Sequence, residues 1–412
     1  MNISLEKTIR AMSIALDLAE ISSISKAEVI ESVSNINLSE HKFLNHSKRT
    51  AYIALTIAKV LNLDIEFCKE LYVSSLLHDI GATDSLKVSH HIESFIKQHC
   101  YNGAYITNSF PVFSNISHLI LYHHENWDGS GVFGLKGNKI PLGSQIIRLA
   151  DLIELSYSDK SPSYAQKYRI INWVKAQDNI IFSNEISAAF FEVATKDIFW
   201  FDIDSILNMD FILDSVAPKL DITLDLYEFE QIANIFSKII DSKSNFTAMH
   251  SLGIADLAYR VSKFLGYEEE KCIKMKIAGL LHDIGKLAIP SSILDKNGSL
   301  TSEEFSIIKS HVYYTKVILD RIDGLKDISD WASNHHEKLS GKGYPRGLKT
   351  DEISEECRIM CVCDIYQALT EDRPYRKGLD CDKAYSILDS LVEENHLCSM
   401  AVNYLKETLK AK

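Results

Sequence analysis

The chain has 412 residues, of which 46% are apolar and 24% charged, with a net charge of −12. That length exceeds one ordinary hydrophobic core and argues for two domains. The acidity excludes a general binder of polymeric nucleic acid, which needs a basic face. An anionic small ligand stays open if metals and a few Arg or Lys meet its charge locally.

The chain opens on MNISLEKTIRAMSIALDLAEI, with Glu6, Asp17 and Glu20 at helical intervals. It reads as an amphipathic helix and not as a signal peptide. No run of 18 uncharged apolar residues follows, so no membrane span is expected. With only 7 Pro and 17 Gly, long stretches repeat apolar residues at i, i+3, i+4 and i+7. KELYVSSLLHDI and LYEFEQIANIFSKII are examples, and the pattern predicts an all-α fold. Residues 155–220 are aromatic-rich and read as packed helices that finish one domain, with Pro218 marking a boundary. Residues 225–241 read as one helix that joins the domains or lies in a dimer interface. The expected domains are 1–218 and 219–412.

Two ordered sets of polar residues lie on this helical background. The first is His46, LLHDIGA at 76–82, His99, YHHENWDGSGVFGL at 122–135, and RLAD ending at Asp151. The second is His250, LLHDIGK at 280–286, His311, NHHEKLSGKGYPRGL at 334–348, and IMCVCD ending at Asp364. The offset is 204 at the His-Asp pairs (282 − 78), 212 at the His-His pairs (335 − 123) and 213 at the last Asp (364 − 151). Constant order with small indels marks a duplicated domain.

A single His-Asp dipeptide is usually a structural hydrogen bond. Five imidazoles and two carboxylates drawn from separate segments are another matter, because that donor set suits a pair of divalent metals. The eight cysteines have no framework spacing, which fits a reducing, cytoplasmic setting. Cys357, Cys361 and Cys363 share one apolar element and read as small buried residues, since thiolate sites usually draw on several segments.

HDIGK at 282–286, HHE at 335–337, GYP at 343–345 and DRPYR at 372–376 resemble the HD-GYP cyclic-dinucleotide phosphodiesterases, a branch of the HD phosphohydrolases. The resemblance covers about residues 225 to 400 and implies two divalent ions per catalytic domain. Iron or manganese leads, with nickel, zinc or magnesium as other candidates. It places His250, His282 and Asp364 on one metal and His311, His335 and His336 on the other, with Asp283 bridging. Members with three metals carry a glutamate four residues before the first histidine, where this chain has Phe246. The resemblance also gives Lys286 to the scissile phosphate or the leaving oxygen, and Arg373 and Arg376 to phosphate binding. Tyr344 either meets the ligand or holds its own loop. Ser340, Val312 and Thr315 depart from the family's Asp, Pro and Gly.

The first copy keeps His46, His78, Asp79, His99, His123, His124 and Asp151, a candidate second metal site. It has Ala82 for the lysine, Gly131-Val132-Phe133 for GYP, and no DRPYR. It is expected to be a degenerate domain with a structural, dimerising or regulatory role. The expected activity opens a cyclic dinucleotide, 3',3'-cyclic GMP-AMP (3',3'-cGAMP) or cyclic di-GMP, to a linear 5'-phosphorylated product. The alternatives are a non-catalytic nucleotide sensor or scaffold and a general mononucleotide hydrolase. A homodimer stays open.

Overall fold

The structure is a computed structural model that describes residues 2–23, 44–82, 93–158, 161, 163–243, 250–372 and 377–411. It is all-α, as the periodicity predicts. Among the described residues there are nineteen α-helices and one two-stranded antiparallel ribbon. None of those helices is long and apolar enough to cross a membrane.

The chain divides into two compact units, Met12–Asp221 and Met1–Ala11 with Ile222–Lys412. The first eleven residues therefore group with the C-terminal unit, unlike the simple partition at 218. Backbone hydrogen bonding is the reason. Ile3 pairs with Leu224, Ser4 pairs with Thr223, and the Leu5 N–H donates to the Ile222 carbonyl at 3.1 Å.

In the N-terminal unit, helix His46–Val60 packs on Ile65–Leu77 and on Leu142–Ser156. Helix Leu142–Ser156 buries Arg148, Asp151 and Glu154 along with its apolar residues. Charged groups are almost never buried without partners, so this helix marks a site and not plain core. The aromatic stretch forms helices Ser163–Ala176, Asn184–Ala194, Asp197–Asp204 and Met209–Asp214. They bury Phe190, Phe199 and Trp200, and the Trp200 indole N–H donates to the Ala194 carbonyl at 3.0 Å.

In the C-terminal unit, helix Leu226–Ser242 starts at a capping box formed by Asp225 and Glu228. It packs on His250–Phe264 and Glu269–Leu281 and buries Phe229, Ile232, Phe236 and Ile239. Each such side chain contributes about 1.5–3 kcal/mol. The helix contributes one face to the core of this unit.

Helix Glu269–Leu281 ends at the His-Asp pair, with His282 as its cap and Asp283 at φ −103, ψ 11. A 3-10 turn, Ile284–Ala288, follows. Its tighter winding nearly eclipses residues three apart, which carries Lys286 over Asp283. A Cβ on Gly285 would lie 1.9 Å from the His311 carbonyl oxygen, so this turn meets helix Ser302–Leu319 backbone to backbone. Gly81 meets His99 in the same way, at 2.1 Å.

Candidate metal centre

Five segments of the C-terminal unit converge on one buried point. His250 begins its helix, His282 caps the next, and His311 lies within Ser302–Leu319. His335 and His336 follow helix Lys326–Ser333, and Asp364 comes from Glu355–Thr370. Asp283 divides its carboxylate between two groups of imidazoles. Its Oδ2 lies 3.0 Å from His282 Nε2, and its Oδ1 lies 3.4 Å from His311 Nε2 and 4.0 Å from His335 Nε2. Asp364 Oδ1 is 3.3 Å from His250 Nε2, and its Oδ2 is 3.9 Å from His336 Nδ1.

The backs of the rings fix their tautomers. Nδ1–H of His282, His311 and His335 donates to the carbonyls of Gly279, Ile308 and Ala332 at 2.8, 2.6 and 2.6 Å. Each Nε2 is thus left with a lone pair aimed inward. His250 differs, because its Nδ1 lies 3.1 Å from the Glu371 carboxylate.

His282 Nε2, Asp283 Oδ1, His311 Nε2 and His335 Nε2 are buried with no hydrogen-bond partner. Each such atom costs about 1–3 kcal/mol, and a pair of bound cations would satisfy all four. His250, His282 and Asp283 bring one donor atom each within 4.8 Å of one another, and so do His311, His335 and His336. Nitrogen and oxygen donors without thiolate suit a pair of divalent first-row ions.

The electrostatics agree. Burial pushes His311 down to about 3 and holds His335 and His336 below the ordinary imidazole range, so they are neutral donors. Burial acts to raise Asp283 and Asp364, yet the surrounding imidazoles, with Lys286 at Asp283, hold both well below the carboxylate range. Burial also opposes charge on His250, but hydrogen bonds to Asp364 and Glu371 lift it to about 9. Lys286 Nζ lies 2.5 Å from Asp283 Oδ2 and stays charged, because that carboxylate outweighs desolvation.

The first copy repeats much of this. Asp79 Oδ2 lies 3.2 Å from His46 Nε2 and 3.0 Å from His78 Nε2. Its Oδ1 lies 3.2 Å from His99 Nε2 and 4.0 Å from His123 Nε2. Asp151 Oδ1 is 3.7 Å from His46 Nε2. His124 joins His99, His123 and Cys100 in one buried cluster. Cys100 was not expected there. Cys357, Cys361 and Cys363 are buried on helix Glu355–Thr370, as expected.

Other predicted residues fall variously. Arg373, Arg376 and Phe246 lie outside the described residues. Tyr344 packs against His336 with the rings tilted by 38° and their centroids 4.8 Å apart, and so holds its loop against that imidazole. Thr315 ties the His-Asp turn to its neighbouring helix, donating to the His282 carbonyl at 2.9 Å and accepting from Gly285 N–H at 3.1 Å.

Several functional residues escaped sequence reasoning. The glutamate of HHE, Glu337, clamps the GYP loop by accepting from Arg346 and Leu348 N–H at 2.7 and 2.9 Å. Glu125 does the same for Phe133 and Leu135. Glu371 and Glu154 back the first histidine of each copy. The repetition of HHE was a signal for Glu337 and Glu125. Nothing local marked Glu371 or Glu154.

A cavity of about 1050 Å³ includes Asn334, Arg346, Lys274 and Cys357, but no member of the ligand set lines it. The site is placed by its side chains and not by that cavity.

Comparison with known proteins agrees with the duplication. The HD domain family matches residues 32–171 and again 234–397. The chain is 30% identical to 3'3'-cGAMP-specific phosphodiesterase 1 of Vibrio cholerae over 84% of this chain and 82% of the relative. It is 36% identical to a cyclic di-GMP phosphodiesterase of Thermotoga maritima over 40% of this chain and 45% of that one. The crystal structure of a cyclic GMP-AMP-specific phosphodiesterase from V. cholerae superposes with a TM-score of 0.68 at 22% identity, covering 100% of this chain and 98% of that one, which supports the fold. The chain belongs to the HD domain family and carries that domain twice in succession.

Proposed function

We propose that the C-terminal copy is a two-metal phosphodiesterase that opens a cyclic dinucleotide to its linear 5'-phosphorylated form. The observation that carries this reading is the divided Asp283 carboxylate, with buried imidazole lone pairs on each side of it. The similarity to cyclic-dinucleotide phosphodiesterases supplies the substrate class, with 3',3'-cGAMP favoured because the relative matched along most of both chains is named for it. His250, His282 and Asp364 would hold one ion and His311, His335 and His336 the other, with the two oxygens of Asp283 shared between them. Iron or manganese fits the donors best. When bound, the ions lower the pKa of water and neutralise phosphate charge.

The chain's own residues do the rest. Lys286 keeps its ammonium within reach of an anion lying over Asp283, where it binds a phosphate oxygen or donates a proton to the departing 3'-oxygen. Arg373 and Arg376 supply forked donors for phosphate. Tyr344 and the loop clamped by Glu337 wall the site beside His336. The N-terminal copy lacks counterparts of Lys286, Tyr344 and both arginines, so catalysis belongs to the C-terminal copy.

The test is anaerobic. The chain is loaded with Fe(II) or Mn(II), incubated separately with 3',3'-cGAMP and cyclic di-GMP, and the products are separated by chromatography. A linear 5'-phosphorylated dinucleotide is expected. If both substrates survive while the C-terminal centre is loaded, the phosphodiesterase reading falls and a nucleotide sensor replaces it.

A further inference from the structure

The two copies differ at one buried position beside the sixth ligand. With the offset of the last aspartates (364 − 151 = 213), Arg148 corresponds to Cys361 (361 − 148 = 213). The Cys361 thiol points to the Glu337 carbonyl, 3.9 Å away. Arg148 instead reaches the ligand cluster. It is only 5% exposed, its Nη1 lies 2.9 Å from His124 Nδ1, and its Nη2 lies 3.4 Å from Asn126 Oδ1. Its Nε is buried with no hydrogen-bond partner.

This contact decides the chemistry of His124. A guanidinium has donors and no acceptor, so His124 Nδ1 must be accepting. A neutral imidazole has one lone-pair nitrogen, so the proton then sits on Nε2 and neither nitrogen can bind a cation. A metal on Nδ1 would stand about 2 Å along the lone pair that the guanidinium already fills. In the C-terminal copy the corresponding nitrogen, His336 Nδ1, faces Asp364 Oδ2.

We propose that the N-terminal copy holds a single metal ion, on His46, His78, Asp79 and Asp151, and that the Arg148 guanidinium takes the place of the second. The fixed positive charge stands against His124, whose ring centroid lies 5.3 Å from that of His99 and 4.1 Å from that of His123. It discourages a divalent ion there, while the other half keeps two imidazoles and two carboxylates. The N-terminal centre is thereby a mononuclear site whose second cation is part of the chain.

The inference rests on the C-terminal centre holding two ions, and the test separates the two. Mn(II) per chain is counted by mass spectrometry after loading and desalting. Asp283→Ala removes the bridging carboxylate of the C-terminal centre and should leave one ion, with the paramagnetic resonance spectrum of isolated Mn(II). In that background Arg148→Met should raise the count to two, and Arg148→Lys, which keeps the charge, should leave it at one. A count of two or of none with Arg148 intact overturns the inference, as does the spectrum of a coupled pair. So does a count that Arg148→Met leaves at one while the helical circular dichroism is unchanged. Asp79→Ala reports on the other centre, and fewer than two ions there is a failure of the two-metal reading alone.

Discussion

Glu371→Gln has two effects of opposite sign, and pH separates them. Glu371 Oε2 lies 3.1 Å from His250 Nδ1 and is the side chain that backs this ligand, where main-chain carbonyls back His282, His311 and His335. Losing such a partner weakens metal binding by about 10–100-fold, or about 1.4–2.7 kcal/mol. The same carboxylate helps lift His250 to about 9, so a proton competes with metal for this ring at neutral pH. Two units below that value, the competition amounts to about 100-fold. The variant lowers the pKa and relieves part of it. Mn(II) affinity, measured anaerobically by chelator competition, should therefore fall by the full factor at pH 9.5 and by much less at pH 7. An equal loss at both pH values, or no loss at pH 9.5, would refute the reasoning.

Asp283→Ala should abolish both metal retention in the C-terminal copy and hydrolysis, read by elemental analysis and product chromatography. Lys286→Ala should keep both ions and cut turnover by about two orders of magnitude; full turnover would remove the lysine from the chemistry. Gly285→Ala drives a Cβ into the His311 carbonyl and should destabilise the fold by about 3 kcal/mol or more, seen as a lowered thermal midpoint. In the metal-free chain, His250 is raised, so its stabilising contribution is full below about pH 6.5 and lost as pH rises through 9. His311 is depressed, so its contribution is present above about pH 6.5 and lost as pH falls toward 3. Denaturant unfolding with a chelator present should show stability declining on both sides of pH 6.5, by a few kcal/mol in each direction.

The helices and the seven candidate ligands of each copy were legible because they announce themselves by type and order. Periodicity marks the first, and a repeated His-Asp, His-His, Asp series marks the second. The residues behind them were not. Glu371 and Glu154 lie 121 and 108 residues from the histidines they back, at unrelated positions after their aspartates, so no spacing rule finds them. Arg148 sits in RLAD, three residues before Asp151, on a helix whose residues are mostly apolar. The end of helix Glu269–Leu281 was hidden too, because apolar residues continue through the turn and only the close approach at Gly285 explains the break. The grouping of residues 1–11 with the C-terminal unit rests on two-residue strands, too short to leave a pattern.

The anchoring of the rings bears on how such a centre can be lost. A histidine held by the carbonyl of its own helical turn keeps its aim under almost any neighbouring substitution, since every residue type offers that oxygen. His250 and His46 hang instead on one distant carboxylate each. A descendant of this chain could retain every candidate ligand, pass any inspection of its signature residues, and still hold metal more weakly through a change at Glu371. Inheritance of function in such duplicated domains is therefore better judged by the glutamate behind the first histidine than by the histidines alone.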